Sequence, residues 1–262
     1  KLLRIPVVTV TIAGAYFSKP RWAKRDRRGR VTIGFELAYT PEQIRRTSVE
    51  EIDREIVRRL THDDFDYNRE AQIRFVGKDR AEYLERVLFV CPECRRIGSL
   101  RSDGDEFGCS ECGYRVYYDT RGFFRGRDGP ARFETIRAWN VWQREEFERL
   151  LRDYLAGPST TPMLQEEEVT VEIGYRSLPL SHYHNGILEL YGDRIVLIPD
   201  SGESEEFSMR AIQGANVQNN EHWEFYEGAD LFRITFRDPR GCTYKWDYAV
   251  KFIQQGAALY AE

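Results

Sequence analysis

The chain has 262 residues, of which 41% are hydrophobic and 31% charged, an ordinary composition for a folded water-soluble protein. No apolar run approaches the ~18 residues of a membrane-spanning helix, and the opening KLLRIPVVTVTI, without a cleavage-site pattern, reads as a buried strand rather than a signal peptide. The net charge of −4 is unevenly placed: residues 1–90 carry +5, residues 91–162 carry 0 and residues 163–262 carry −9, as three modules of different character would.

Residues 4–12, RIPVVTVTI, are β-branched on both faces and predict a central strand of a covered parallel sheet. Gly14 ends the run. The loop that follows holds Tyr16, Phe17 and Trp22 among the cations Lys19, Arg21, Lys24, Arg25, Arg27, Arg28 and Arg30. Such a cluster suits an anionic partner, whether lipid headgroups, with Trp22 at the interface, a phosphorylated substrate or nucleic acid; a solvated loop is the alternative. Residues 30–37 alternate Val31, Ile33, Phe35 and Leu37 on one side and predict a strand with one buried face. Ser48 and Glu51 read as a capping box before a helix with Val49, Ile52, Ile56, Val57 and Leu60 on one side. THDDFDYNRE reads as a polar connection to a short helix near 79–87. This order predicts the closing part of an α/β domain over residues 1–87. Because the chain opens on Lys1 and a strand follows almost at once, the earlier part of that domain is expected upstream.

Cys91, Cys94, Cys109 and Cys112 form two CxxC pairs, CPEC and CSEC, separated by fourteen residues. Each pair offers two thiolates, and a β-hairpin can bring the pairs onto one tetrahedral ion. That is the spacing of a structural Zn²⁺ site of the zinc-ribbon kind, expected over residues 88–127, with disulfides or free thiols as the alternative. A closed four-cysteine shell leaves no position open for chemistry. SDGDE reads as the turn between the hairpin arms. The thiols, with Cys242 alone, place the chain in a reducing compartment, hence the cytoplasm.

Residues 133–155 carry Ile136, Trp139, Trp142, Phe147, Leu150, Leu151 and Tyr154 at helical spacing, and GPSTTPM reads as a linker, so 128–164 is a helix and linker. Residues 165–262 hold about seven short strands, two of them joined by a Gly-Asp turn, followed by a helix with Trp246, Ala249, Val250 and Ile253 on one side. The fold class is thus α+β multidomain: an α/β part, a zinc ribbon, and a small β-barrel or sandwich with a C-terminal helix.

The run Ile5-Pro6-Val7-Val8-Thr9-Val10, then Ile12, Gly14, Ala15, Tyr16 and Pro20-Arg21-Trp22, resembles the last sequence block of the glycerophospholipid acyltransferases of lysophosphatidate type. Thr9 stands where that family usually has proline. The resemblance implies a fragment of a 1-acylglycerol-3-phosphate O-acyltransferase-like enzyme of phospholipid biosynthesis, peripheral at the inner membrane face, with the anionic membrane surface or a lysophospholipid against the basic loop. The family's catalytic H-x-x-x-x-D and its E-G-x-R block are both missing. Neither His62, His182, His184 nor His222 has Asp five residues on, although His184 and His222 offer H-x-x-x-x-E in β-rich sequence. The implied enzyme would carry its reacting groups upstream, and this piece alone would be inactive. The last hundred residues resemble a pleckstrin-homology-like or GRAM-like domain by pattern alone. Its charge of −9 points to a protein partner or to the basic first block of the same chain.

Two other readings stand beside the enzyme. One is a zinc-ribbon nucleic-acid-binding protein, disfavoured because Arg95, Arg96 and Arg101 are offset by Glu93, Asp103, Asp105, Glu106 and Glu111. The other is a scaffold whose ribbon and β domain hold partners. His182-x-His184 lacks an evident third ligand and reads as a polar loop.

Overall fold

The alternation of Val8, Val10 and Ile12 with Thr9 and Thr11 produces β1 (Val7–Ala13), which in the computed structural model pairs antiparallel with β2 (Thr32–Tyr39). The structure describes residues 5–127, 129–158, 160–175 and 178–259, with backbone alone at 257–259; Lys1, Arg4 and the linker residue Ser159 lie outside the described residues. Between the strands lie α1 (Ala15–Ser18) and the basic segment. After them come α2 (Pro41–Arg46), α3 (Val49–Leu60) and α4 (Asp64–Ala71). Thr40 and Gln43 form a full capping box on α2, Ser48 Oγ accepts the N–H of Glu51 on α3, and Asp63 caps α4 through the N–H groups of Phe65 and Asp66.

The expected covered parallel sheet is corrected here: β1 and β2 form a two-stranded sheet, and every strand pair among the described residues is antiparallel. A β-branched run is compatible with either arrangement, and the threonines that alternate with the valines mark the covered face. That face carries Thr9 and Glu36, with α3 anchored to it by Arg59, 2.5 Å from Glu36. A small core of Ala38, Tyr39 and Ile44 lies beside it, with Val7 and Ile52 packed against it. The opposite face of the hairpin stays in water. The helix expected near 79–87 is also corrected. Asp79 and Tyr83 take positive φ values of 55° and 70°, which an α-helix does not tolerate, and only a 3-10 turn at Leu84–Arg86 forms. The segment read as a polar connection is instead α4.

The ribbon is a four-stranded antiparallel meander of β3 (Leu100–Asp103), β4 (Glu106–Cys109), β5 (Arg115–Tyr118) and β6 (Phe124–Gly126). Its strands share one core with the preceding segment and the following helix, α5 (Ile136–Leu155): Phe17, Trp22, Phe75, Leu84, Leu100, Phe107, Val116, Tyr118, Phe124 and Trp139 pack together. Gly122, at the turn into β6, has φ +87°, and a methyl group there would sit 2.2 Å from the ring of Phe17.

The C-terminal module is a curled antiparallel sheet of β7 (Leu164–Tyr175), β8 (Ser181–Leu190), β9 (Arg194–Pro199), β10 (Glu205–Ser208), β11 (Ile212–Gln218), β12 (His222–Glu227) and β13 (Asp230–Phe236), in the order β10-β9-β8-β7-β13-β12-β11. Helix α6 (Thr243–Leu259) fills its concave side with Trp246, Ala249, Val250 and Ile253, all buried. The sheet does not close edge to edge. Gln254 on α6 bridges the gap by donating to the carbonyls of Met209 and Ile212 at 2.9 and 2.8 Å. The architecture is mixed α+β, with a zinc ribbon and a β half-barrel. Among the described residues, no helix is long and apolar enough to cross a membrane.

Candidate metal centre

Two tight turns carry the four cysteines, and they are built alike. In the first, Arg95 N–H donates to the Cys91 carbonyl at 3.0 Å, and Cys91 N–H donates to the Arg96 carbonyl at 3.0 Å. In the second, Gly113 N–H donates to the Cys109 carbonyl at 3.2 Å, and Cys109 N–H donates to the Tyr114 carbonyl at 2.8 Å. The fifth residue of each turn has positive φ, 61° at Arg95 and 77° at Gly113. Glycine meets that need freely in the second turn; the first holds an arginine there at some steric cost. The turns are joined by Ser110, whose N–H and hydroxyl both donate to the Ser99 carbonyl, at 2.9 and 3.1 Å.

The hairpin of β3 and β4 brings the turns together. The four Sγ atoms all lie within 4.8 Å of one another, and the closest pairs join different turns: Cys91 to Cys112 at 3.6 Å and Cys94 to Cys109 at 3.7 Å. Four thiolates ~2.3 Å from one ion in a tetrahedron stand about 3.8 Å apart. The residues present therefore fit Zn²⁺, and all five cysteines are free of disulfides. Cys91 and Cys109 are buried, whereas Cys94 and Cys112 face water. Burial pushes the Cys91 thiol well above its ordinary range. At Cys109 burial acts upward too, but the Ser99 hydroxyl 3.2 Å away and the backbone N–H groups of Cys112 and Glu111 outweigh it, bringing the thiol to about 6.

The centre is supported from α5. Trp139 Nε1 donates to the Val90 carbonyl at 3.1 Å, and Gln143 holds the backbone entering the first turn. Arg80 clamps the hairpin tip through Asp105, whose Oδ1 accepts its backbone N–H at 2.7 Å and whose Oδ2 lies 2.5 Å from its guanidinium. Sequence reading missed Gln143, Ser99 and Arg80. Gln143 alone left a signal, a polar residue four positions from both Trp139 and Phe147 within the apolar stripe of α5.

The basic segment divides. Trp22 is 1% exposed and Arg27 4%; the Arg27 guanidinium lies between the rings of Trp22 and Tyr118 and donates to the Arg80 carbonyl at 2.6 Å. Both face the interior core. Lys19, Arg21, Lys24, Arg25 and Arg28 stand at the surface. Of these, Lys19 lies 3.6 Å from Asp26, Arg25 lies 3.3 Å from Asp79, and Lys24 sits over the Tyr83 ring. His182 and His184 lie on β8 rather than in the polar loop expected of them; His182 contacts Asn185, and the His184 ring is tilted 58° against Tyr183. Among the described residues, the four cysteines are the one cluster able to hold a metal.

These features define a closed, four-cysteine structural zinc ribbon. Residues 84–122 match the zinc-ribbon family described as the DNA directed RNA polymerase, 7 kDa subunit. A curated relative, subunit 12 of the DNA-directed RNA polymerases II, IV and V of Arabidopsis thaliana, is 46% identical over 37 residues, covering 14% of this chain and 71% of that protein. Through its ribbon the chain belongs to this zinc-ribbon family. The family match covers the 3-10 turn at Leu84–Arg86 and most of the ribbon, and neither similarity supports the acyltransferase or the pleckstrin-homology resemblance.

Proposed function

We propose that the chain is a protein scaffold in which the zinc ribbon is the rigid joint. The observation that carries this reading is the sharing of ribbon residues between two cores. Phe89 and Val90 are buried in the core of the β half-barrel with Phe147 and Leu151, and Ile97 packs against it, while Leu100, Phe107 and Val116 are buried in the N-terminal core. The seam is closed by Arg86, which donates to the Pro239 carbonyl at 2.7 Å and pairs with Glu221 at 3.3 Å, and by Arg240, 3.2 Å from Glu82. A closed thiolate shell contributes folding energy and no chemistry. The plant relative is by name a polymerase subunit, so a place inside a larger assembly is the role carried over to this chain. Nucleic acid is the competing partner. Filter binding to duplex DNA and to RNA at increasing salt tests it: the scaffold reading predicts negligible affinity, and a steep fall of affinity with salt would overturn it.

A second reading keeps the acyltransferase resemblance, with the surface cations against an anionic membrane and the β half-barrel as a pleckstrin-homology-like module. One observation favours it: β1 and β2 form a sheet of two strands among the described residues, each with an outer edge open to a further strand of a larger sheet. Flotation with phosphatidylglycerol vesicles tests the membrane part. The enzyme part requires H-x-x-x-x-D and E-G-x-R in the same reading frame, and a frame lacking both would end it.

A further inference from the structure

The hairpin of β1 and β2 carries three cross-strand pairs on one face: Val8 with Leu37, Val10 with Phe35, and Ile12 with Ile33. All six side chains are apolar and 43–74% exposed, Phe35 the most. The other face packs against α3, so this one is half of an unfinished layer. Together the six side chains expose on the order of 600 Å² of apolar surface, the upper limit of the largest patch on an ordinary monomer.

We infer that this face is a homodimer interface and that its occupant is the same face of a second copy. The area supports it. Two such faces stacked about 10 Å apart as a sandwich remove roughly 1,200 Å² from water, the lower end of specific protein interfaces. Electrostatics supports it as well: none of the six positions is charged, so a self-complementary contact brings no like charges together. The middle pair, Val10 and Phe35, lies near the centre of both strands, where a two-fold axis would pass. Phe35 is then the anchor, ringed by the four aliphatic side chains of the outer pairs. A lipid surface is the competing occupant. The inference goes beyond the scaffold reading and does not depend on it.

Sedimentation equilibrium of the zinc-loaded chain tests it. The expected result is a dimer with a dissociation constant on the order of micromolar, as an interface of this modest area gives. Phe35→Asp, at a position too exposed to matter for the fold, is expected to weaken association by at least ~100-fold. Val141→Asp, at an exposed apolar position on α5, is expected to leave the dimer unchanged. A wild-type chain that stays monomeric at ~100 µM would overturn the inference, as would a dimer indifferent to Phe35→Asp. Monomers that float with anionic vesicles in a Phe35-dependent way would also overturn it, assigning the face to lipid.

Discussion

Gln143, a fully buried residue of α5, accepts the backbone N–H of Phe89 at 2.8 Å. The same oxygen accepts the N–H of Val90 at 3.2 Å, and the side-chain amide donates to the Val87 carbonyl at 2.7 Å. One side chain thus satisfies three backbone groups on the segment that enters the first cysteine turn, so helix position and metal site are mechanically linked. Gln143→Leu keeps the bulk and strands two buried donors and an acceptor. The expected loss is about 2–4 kcal/mol of unfolding free energy in urea denaturation of the zinc-loaded chain, given the cost of buried unpaired polar groups. A loss within experimental error of zero would mean that water or a backbone shift replaces the glutamine.

Glu85 gives the seam a pH dependence. Its Oε1 accepts the Ser102 N–H and hydroxyl at 3.1 and 3.0 Å and lies 3.2 Å from Arg240 Nε, while Oε2 is buried without a partner. Burial pushes the carboxyl above its ordinary value, against the hydrogen bonds from Ser102 and the charge of Arg240. A carboxyl with a folded value above its unfolded one contributes stability that is full below the unfolded value and is lost as pH rises through the folded one. Glu85→Gln is therefore expected to flatten the decline of Tm above about pH 4.5, so that the variant gains on the wild type toward neutrality. Parallel Tm–pH curves for the two proteins would contradict this.

Cys242 should be chemically silent. Its Sγ donates to the Arg86 carbonyl at 3.1 Å, and burial pushes the thiol up to about 12. Iodoacetamide at pH 8 is expected to leave Cys242 unmodified in the folded zinc-loaded chain and to alkylate it after denaturation, read by peptide mass spectrometry. Rapid modification in the folded state would show that the seam opens.

The metal ligands were legible because thiolate spacing maps directly onto a hairpin. So were α5 and α6, whose apolar stripes end in Trp139, Phe147, Trp246 and Ile253, all interior. The seven-strand count of the last module also held, because alternation and turns are local signals. What was not legible is non-local. Nothing in Val7–Ala13 tells a parallel neighbour from an antiparallel one. Trp22 and Arg27 read as interfacial groups in a charged loop, yet their environment is set by Tyr118, almost a hundred residues away. Arg80 and Asp105 belong to different modules by sequence and to one clamp in space. Phe89 and Val90 sit in the core of residues 165–262, so ribbon and half-barrel share contacts that no local pattern reveals.

That shared packing is the central claim, and hydrogen exchange with and without zinc tests it most directly. On chelation, the account predicts loss of amide protection through residues 88–118, spreading to the first turns of α5 around Trp139 and Gln143 and to the 238–242 loop at the seam. Restoration should follow one equivalent of Zn²⁺ and fail in Cys91→Ser. Loss confined to the two cysteine turns, with α5 and the seam still protected, would contradict the ribbon's role as the joint between the two cores.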